Sequence, residues 1–446
     1  GYAPGETSLA RRGNDLVVGF AGSSDSVTLL NTLNEDYDTG VERLVFDAGV
    51  EWTMEDVRAA LVTQAASDSA DVIAGFDTND TIAGGKGDDD LAGGRGDDVY
   101  VFNAGDGCDV IAEGWGAGDD RLVIHGLASG DAVLTRRGND LVVGFAGSND
   151  SVTLLNTLND EYYTGVERVV FDGGVIWTMA DIRRTLLARA ASDGADAIYG
   201  FNTNDTISGA EGADYLSGGG GADLYLYHAG DGDDRIDATT DADTLRFFDY
   251  NRSDIVSAVR ADADSIDLVL NMKTAGDRVT LIGALSQAWN YSSQIEFADG
   301  TVWDQAAMRQ AVVEGLDTSG DDRIVGFDGA ETLAAKAGDD VMDGGAGADT
   351  YVFAHGAGRD IVDETDASAS TDTIRFVDVA STDVTVERLF KGSESVVLRA
   401  VGDSADSVTI MHALASDGRG VESVTFSDGV VWTKATLADR LANRAP

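Results

Sequence analysis

The chain has 446 residues, 43% of them hydrophobic, and its 79 acidic against 31 basic residues leave a net charge of -48. That size and apolar content fit several small folded units, but so much negative charge opposes compaction unless a cation neutralises it, and it repels nucleic acid and anionic membrane surfaces alike. No segment approaches the roughly 18 apolar residues of a spanning helix, and the single cysteine, Cys108, leaves no internal disulfide to stabilise the fold.

In chain order the sequence alternates two kinds of segment. It opens Gly1-Tyr2-Ala3 without an initiator Met, a charged leader or an apolar signal segment, and so reads as a piece of a larger polypeptide. Residues 1–65 form an intervening module, expected to be truncated at its start. Leu9 to Asn34 recurs at Leu134 to Asn159 with two differences in 26 residues, the mark of a duplication. Diverged copies of the module follow at 113–190, 238–316 and 363–446, and Trp52, Trp177, Trp303 and Trp432 mark the same point in each. Between the modules lie Gly/Asp-rich blocks at 66–112, 191–237 and 317–362.

Inside each block the period is nine residues, G-G-x-G-x-D-x-U-x with U apolar. The first block carries acids at Asp71, Asp80, Asp89, Asp98 and Asp109, and the second at Asp196, Asp205, Asp214, Asp223 and Asp234. The third has Asp322, Glu331, Asp340, Asp349 and Asp360, so all three blocks space their acids 9, 9, 9 and 11 apart. Apolar residues two places on keep step, from Ile73, Ile82, Leu91 and Tyr100 in the first block to Ile324, Leu333, Met342 and Tyr351 in the third. The complete motif places Gly84, Gly85, Gly87 before Asp89, and Gly93, Gly94, Gly96 before Asp98. It recurs with Gly218, Gly219, Gly221 before Asp223 and with Gly344, Gly345, Gly347 before Asp349.

Glycine adopts positive φ at little cost, so G-G-x-G permits a tight turn, and x-U-x is a strand long enough to bury one side chain. Two such units close one coil of a parallel β-solenoid, which stacks residues 18 apart and pairs Asp71 with Asp89 and Asp109, and Asp80 with Asp98. Carboxylates and carbonyls make an all-oxygen site, and Ca²⁺ takes about 6 to 8 such ligands in irregular geometry, so about three ions per roll are expected. Zinc and copper are disfavoured by the lack of Cys and His ligands. Without metal the stacked acids repel, and the short strands bury too little to offset chain entropy, so folding should depend on calcium. Glu331 in place of Asp, and the missing glycine pair at Ala335 to Asp340, mark the third block as the weaker binder.

The modules alternate apolar and polar residues. In the second copy, strands are expected at Ala132 to Thr135, Leu141 to Phe145, Val152 to Leu155, Val166 to Phe171 and Val175 to Trp177. Thr178 to Asp181 then opens a helix as a capping box, its Ile182, Leu186 and Leu187 on one face, suited to cap the open end of the next roll. The repeated tryptophans fit core packing, whereas Trp115 and Trp289 fall outside the common register and are the better candidates for stacking on a sugar. No nucleophile and base, open metal position or cofactor loop stands out, so no enzyme is expected.

The nonapeptides resemble those of the RTX (repeat-in-toxin) haemolysin-type calcium-binding proteins. The modules, with GNDLVVGFAGSNDSVTL and VERVVFDGGVIWT, look like the related domain that accompanies such repeats. The resemblance implies a mainly β fold of parallel β-rolls alternating with β-rich modules that each end in a helix. It also implies export by type I secretion and folding in calcium outside a bacterial cell or on its surface. The expected function is a calcium-dependent spacer in an adhesin, toxin or surface-layer protein. The alternative is a glycan-binding accessory module of a secreted polysaccharide-modifying enzyme.

Overall fold

A three-residue strand alternates its side chains across the sheet, so the U residue of each nonapeptide turns inward and its neighbours outward. The computed structural model describes residues 2–34, 40–114, 116, 118–159, 165–238, 242–262, 265–286, 293–364, 370–401, 405–415 and 419–443. It forms two units, Gly1–Arg189 and Ala190–Pro446, both mainly β.

In the first unit the strands Val72–Ala74, Asp90–Ala92 and Cys108–Ile111 stack in parallel on one side. Thr81–Ala83, Val99–Asn103 and Arg121–His125 stack on the other. Ile73 pairs with Leu91 and Ile82 with Tyr100, all four buried, as the 18-residue stacking requires.

Neither stack ends with the nonapeptides. Cys108–Ile111 pairs in parallel with Ser151–Leu154, which continues antiparallel into Asp140–Phe145 and Ala132–Arg137. Arg121–His125 likewise pairs in parallel with Arg168–Phe171, which folds back on Ile176–Thr178. The module that follows a roll thus extends both of its sheets, giving the roll's last strands the backbone partners that an open edge lacks. Contact with a roll also buries the module: Val152 is 0% exposed here, whereas its duplicate Val27 in the first module, beside which no roll strand pairs among the described residues, is 47% exposed.

The second unit repeats this plan twice. One six-stranded sheet runs from Ala197–Phe201 through Tyr215–Gly219, Asp233–Asp237, Arg278–Ile282 and Leu268–Met272 to Ile255–Arg260. The next runs from Arg323–Val325 through Val341–Asp343, Arg359–Val362, Ser407–Ile410 and Val396–Ala400 to Val384–Arg388. A five-stranded sheet faces each of them.

Helices α1 (Met54–Ala65), α2 (Met179–Ala190), α3 (Gln305–Leu316) and α4 (Lys434–Ala442) follow the tryptophan of each module. Thr53 and Asp56 close the expected capping box at α1, and Asp304 caps α3 through the Ala307 N–H at 2.8 Å. Ile182, Leu186 and Leu187 are the buried face of α2. Helix α3 covers the first coil of the third roll, where Gln310 acts as a missing strand residue. Its Nε2 donates to Thr332 O at 2.9 Å and its Oε1 accepts the Thr332 N–H at 3.0 Å. An arginine from the module seals the same end: Arg260 lies 3.9 Å over the Phe327 ring and donates to Gly326 O, as Arg11 lies 4.3 Å over Phe76 and donates to Gly75 O in the first unit. The registered tryptophans are packed too, each against a phenylalanine six residues earlier, from Phe46 and Trp52 at 5.0 Å to Phe426 and Trp432 at 4.4 Å between ring centroids.

Candidate metal centre

The acids form ladders through one oxygen each. In the first roll the Asp71 N–H donates to Asp89 Oδ1 at 2.8 Å, and the Asp89 N–H to Asp109 Oδ1 at 3.1 Å. Along the other row of turns the Asp80 N–H donates to Asp98 Oδ1 at 2.7 Å. The second roll links Asp196 to Asp214, Asp214 to Asp234, and Asp205 to Asp223 in the same way. The third links Asp322 to Asp340, Asp340 to Asp360, and Glu331 to Asp349. All fifteen acids expected from the sequence are therefore brought into stacked rows.

What their second oxygens do divides twelve of them into two groups. In the opening turns that oxygen is used locally: Asp71 accepts from the Ser67 N–H at 2.7 Å, Asp80 from Phe76 at 2.6 Å and Asp205 from Phe201 at 2.6 Å. Asp196 and Asp322 take the N–H of Ser192 and Thr318, and Glu331 takes that of Phe327 at 3.0 Å, so the longer side chain fills the aspartate's place. Deeper in the rolls, Oδ2 of Asp89, Asp98, Asp214, Asp340, Asp349 and Asp360 is buried with no hydrogen-bond partner. A buried anionic oxygen without a donor is costly, and a cation is the partner that suits it.

The glycines of the motif hold this space open for two different reasons. Gly94 and Gly96 have φ of +103° and +119°, backbone that a side chain resists. Gly93 has no such φ, but a Cβ on it would overlap the Asp98 carboxylate. A Cβ on Gly75 would sit 2.5 Å from Gly93 O and 2.7 Å from Asp80 Oδ2, so carbonyl and carboxylate oxygens converge there. The donor set is all oxygen, as calcium requires. In the third roll Lys336 stands where Gly85 stands in the first; it lacks the positive φ, donates its N–H to Asp317 Oδ1 at 3.1 Å and holds its ammonium 3.5 Å from Asp317 Oδ2. A positive charge at that turn competes with a metal ion.

Burial pushes the Asp98 carboxyl up to about 6 and those of Asp109, Asp234, Asp349 and Asp360 up to about 7, and neighbouring acids add to the rise.

RTX calcium-binding nonapeptide repeats match residues 66–107, 191–225, 228–246 and 325–362. The haemolysin-type calcium binding protein related domain matches residues 15–56, 140–181, 267–307 and 400–436. The chain carries RTX calcium-binding nonapeptide repeats interleaved with haemolysin-type calcium binding protein related domains. None of the curated proteins matches it. Among solved structures, the extracellular lipase LipA from Serratia marcescens aligns at 24% identity with a TM-score of 0.21, over 48% of this chain and 38% of the lipase.

The RTX ladders run one step further than the repeat period indicates. The Asp98 N–H donates to Asp120 Oδ1 at 2.8 Å, that of Asp223 to Asp243 Oδ1 at 2.9 Å, and that of Asp349 to Asp372 Oδ1 at 2.9 Å. These acids lie 22, 20 and 23 residues on, so no fixed spacing announces them. The shared signal is the following strand, Arg121–His125, Thr244–Phe247 or Thr373–Phe376, which alternates like x-U-x. Trp115 and Trp289, the candidates for sugar stacking, lie outside the described residues.

Proposed function

We propose that this chain is a calcium-folded structural segment of a large secreted bacterial RTX protein, of adhesin, toxin or surface-layer type. It spaces or presents other domains and has no catalytic role. The supporting observation is the row of buried aspartate oxygens, Asp89 and Asp98 foremost, that lack any protein donor. In a calcium-poor cytoplasm the ionised rows repel and the rolls stay open, a state suited to export. In millimolar calcium outside the cell the metal binds only the folded coil and so draws the chain into it. Among the described residues no helix is long and apolar enough to cross a membrane.

The test is far-UV circular dichroism of the whole chain in chelator and after calcium is restored. The proposal expects β signal to appear with calcium and to be lost again with chelator. An identical folded spectrum in both conditions overturns it.

A further inference from the structure

At the far end of the first and third rolls a glutamate enters the row of turns from outside the repeats. Carboxylate oxygens of Asp98, Glu113 and Asp120 lie within 4.8 Å of one another, as do those of Asp349, Glu364 and Asp372. Glu113, Asp120, Glu364 and Asp372 fall outside every residue range matched by either family.

The interior of the first group is built for a cation. Asp98 and Asp120 are 0% exposed, and Oδ2 of each, like Oε2 of Glu113, is buried without a hydrogen-bond partner. Asp349 repeats this in the third roll, 0% exposed with Oδ2 bare. Tyrosine hydroxyls orient the glutamates, Tyr100 donating to Glu113 and Tyr351 to Glu364. The space is guarded by glycine: a Cβ on Gly93 would overlap Asp98 Oδ2 and lie 2.8 Å from the Tyr100 hydroxyl, and Gly344 stands alike to Asp349 and Tyr351. A further acid braces each group from the module, Glu167 accepting the Asp120 N–H at 2.6 Å and Glu422 that of Asp372 at 2.8 Å.

The second roll is an internal contrast. Ala238, four residues after Asp234, stands where Glu113 follows Asp109 and Glu364 follows Asp360. Strand pairing places Ser293 where Glu167 and Glu422 stand. Both acids are absent together, and the Ser293 hydroxyl instead donates to Ala238 O at 3.2 Å, while the Tyr225 hydroxyl turns to Asp237 O at 3.0 Å.

We propose that the first and third rolls each bind one additional divalent cation, of the hard, calcium-like class, at these carboxylate trios, and that the second roll does not. The inference rests on the calcium reading of the rolls, since Asp98 and Asp349 belong to both. Three carboxylates give the trio more ligand charge than a repeat turn built largely of carbonyls, so it retains calcium to lower free concentration. Asp120 and Asp372 directly precede the strands Arg121–His125 and Thr373–Phe376, so the ion ties the end of each roll to the start of the following module.

The test counts bound calcium per chain by equilibrium dialysis on the whole folded protein, with circular dichroism as the check on folding. Glu113→Gln is expected to lose one ion, Glu364→Gln one ion, and the pair two. Introducing Ala238→Glu with Ser293→Glu into the second roll is expected to gain one. An unchanged count in folded Glu113→Gln and Glu364→Gln overturns the inference. Should those variants not fold, no gain in the folded second-roll variant overturns it. A wild-type chain that binds no calcium at all would instead overturn the reading of the rolls.

Discussion

The backbone N–H of Asp80 donates to Oδ1 of Asp98 at 2.7 Å, while Oδ2 of the same carboxylate is buried with no donor. One oxygen of Asp98 therefore holds the coil together and the other is left for a cation. Asp71 lies in an opening turn, and its second oxygen accepts from Ser67.

Asn substitution should separate these two groups. Asp89→Asn keeps the acceptor for the Asp71 N–H but removes the charge beside a bare oxygen. Loss of about 1.5 kcal/mol for one charged interaction is about tenfold in affinity. The calcium midpoint for folding, followed by circular dichroism, should rise by that order in Asp89→Asn and much less in Asp71→Asn. Equal shifts would contradict the division.

Proton dependence should reverse with metal. Asp98, Asp109, Asp234, Asp349 and Asp360 are raised from an ordinary value of 3.8 to about 6 or 7 in the fold. A carboxyl raised by folding binds its proton more tightly there, so its contribution is fully favourable below the unfolded value and is lost as pH climbs through the folded one. In calcium-free buffer, where the rolls are open at pH 7.5, the β signal in circular dichroism should grow as the pH falls to 5 and the acids are neutralised. With calcium present, protons compete for the same oxygens, so the calcium midpoint should rise over that same fall in pH.

Two adjacent glycines should fail for different reasons. Gly94→Ala forces a side chain into left-handed backbone, a cost of about 1–2 kcal/mol, and sets its Cβ 2.5 Å from Phe76 O, which adds to that cost. Gly93→Ala places its methyl on the Asp98 carboxylate. A double-mutant cycle with Asp98→Ala, read by thermal unfolding in calcium, should show coupling for Gly93→Ala and near additivity for Gly94→Ala.

Gln310→Ala should loosen one end of the third roll only. It removes two hydrogen bonds to Thr332, each worth about 0.5–1.5 kcal/mol. Hydrogen exchange should speed at Thr332 and along Thr332–Ala334, with the strands of the second roll unchanged.

Much of the site was legible without a structure, because a nonapeptide period is a statement about space. Acids 18 residues apart must stack once the coil closes, and Ile73 over Leu91 or Asp80 over Asp98 follows from counting. Glu113 and Asp120 were not legible. Asp120 reaches Asp98 across a connection whose length differs among the three rolls, and Glu113, though it follows Asp109 as Glu364 follows Asp360, falls outside the nine-residue period. The roles of the opening acids were hidden for another reason: Asp71 and Asp89 occupy the same motif position, and only the Ser67 N–H reaching Asp71 distinguishes them.

By itself the sequence determined the calcium chemistry, the three parallel rolls and the registered helices, since each depends on short-range periodicity, glycine placement and charge. Only the tertiary structure decided where a roll ends. Its sheets continue into the module through pairings such as Cys108–Ile111 with Ser151–Leu154, because an unpaired strand edge requires a partner and no local pattern names which strand supplies it. The same closure carries Glu113 and Asp120 to Asp98 and turns three acids distant in the chain into one buried group.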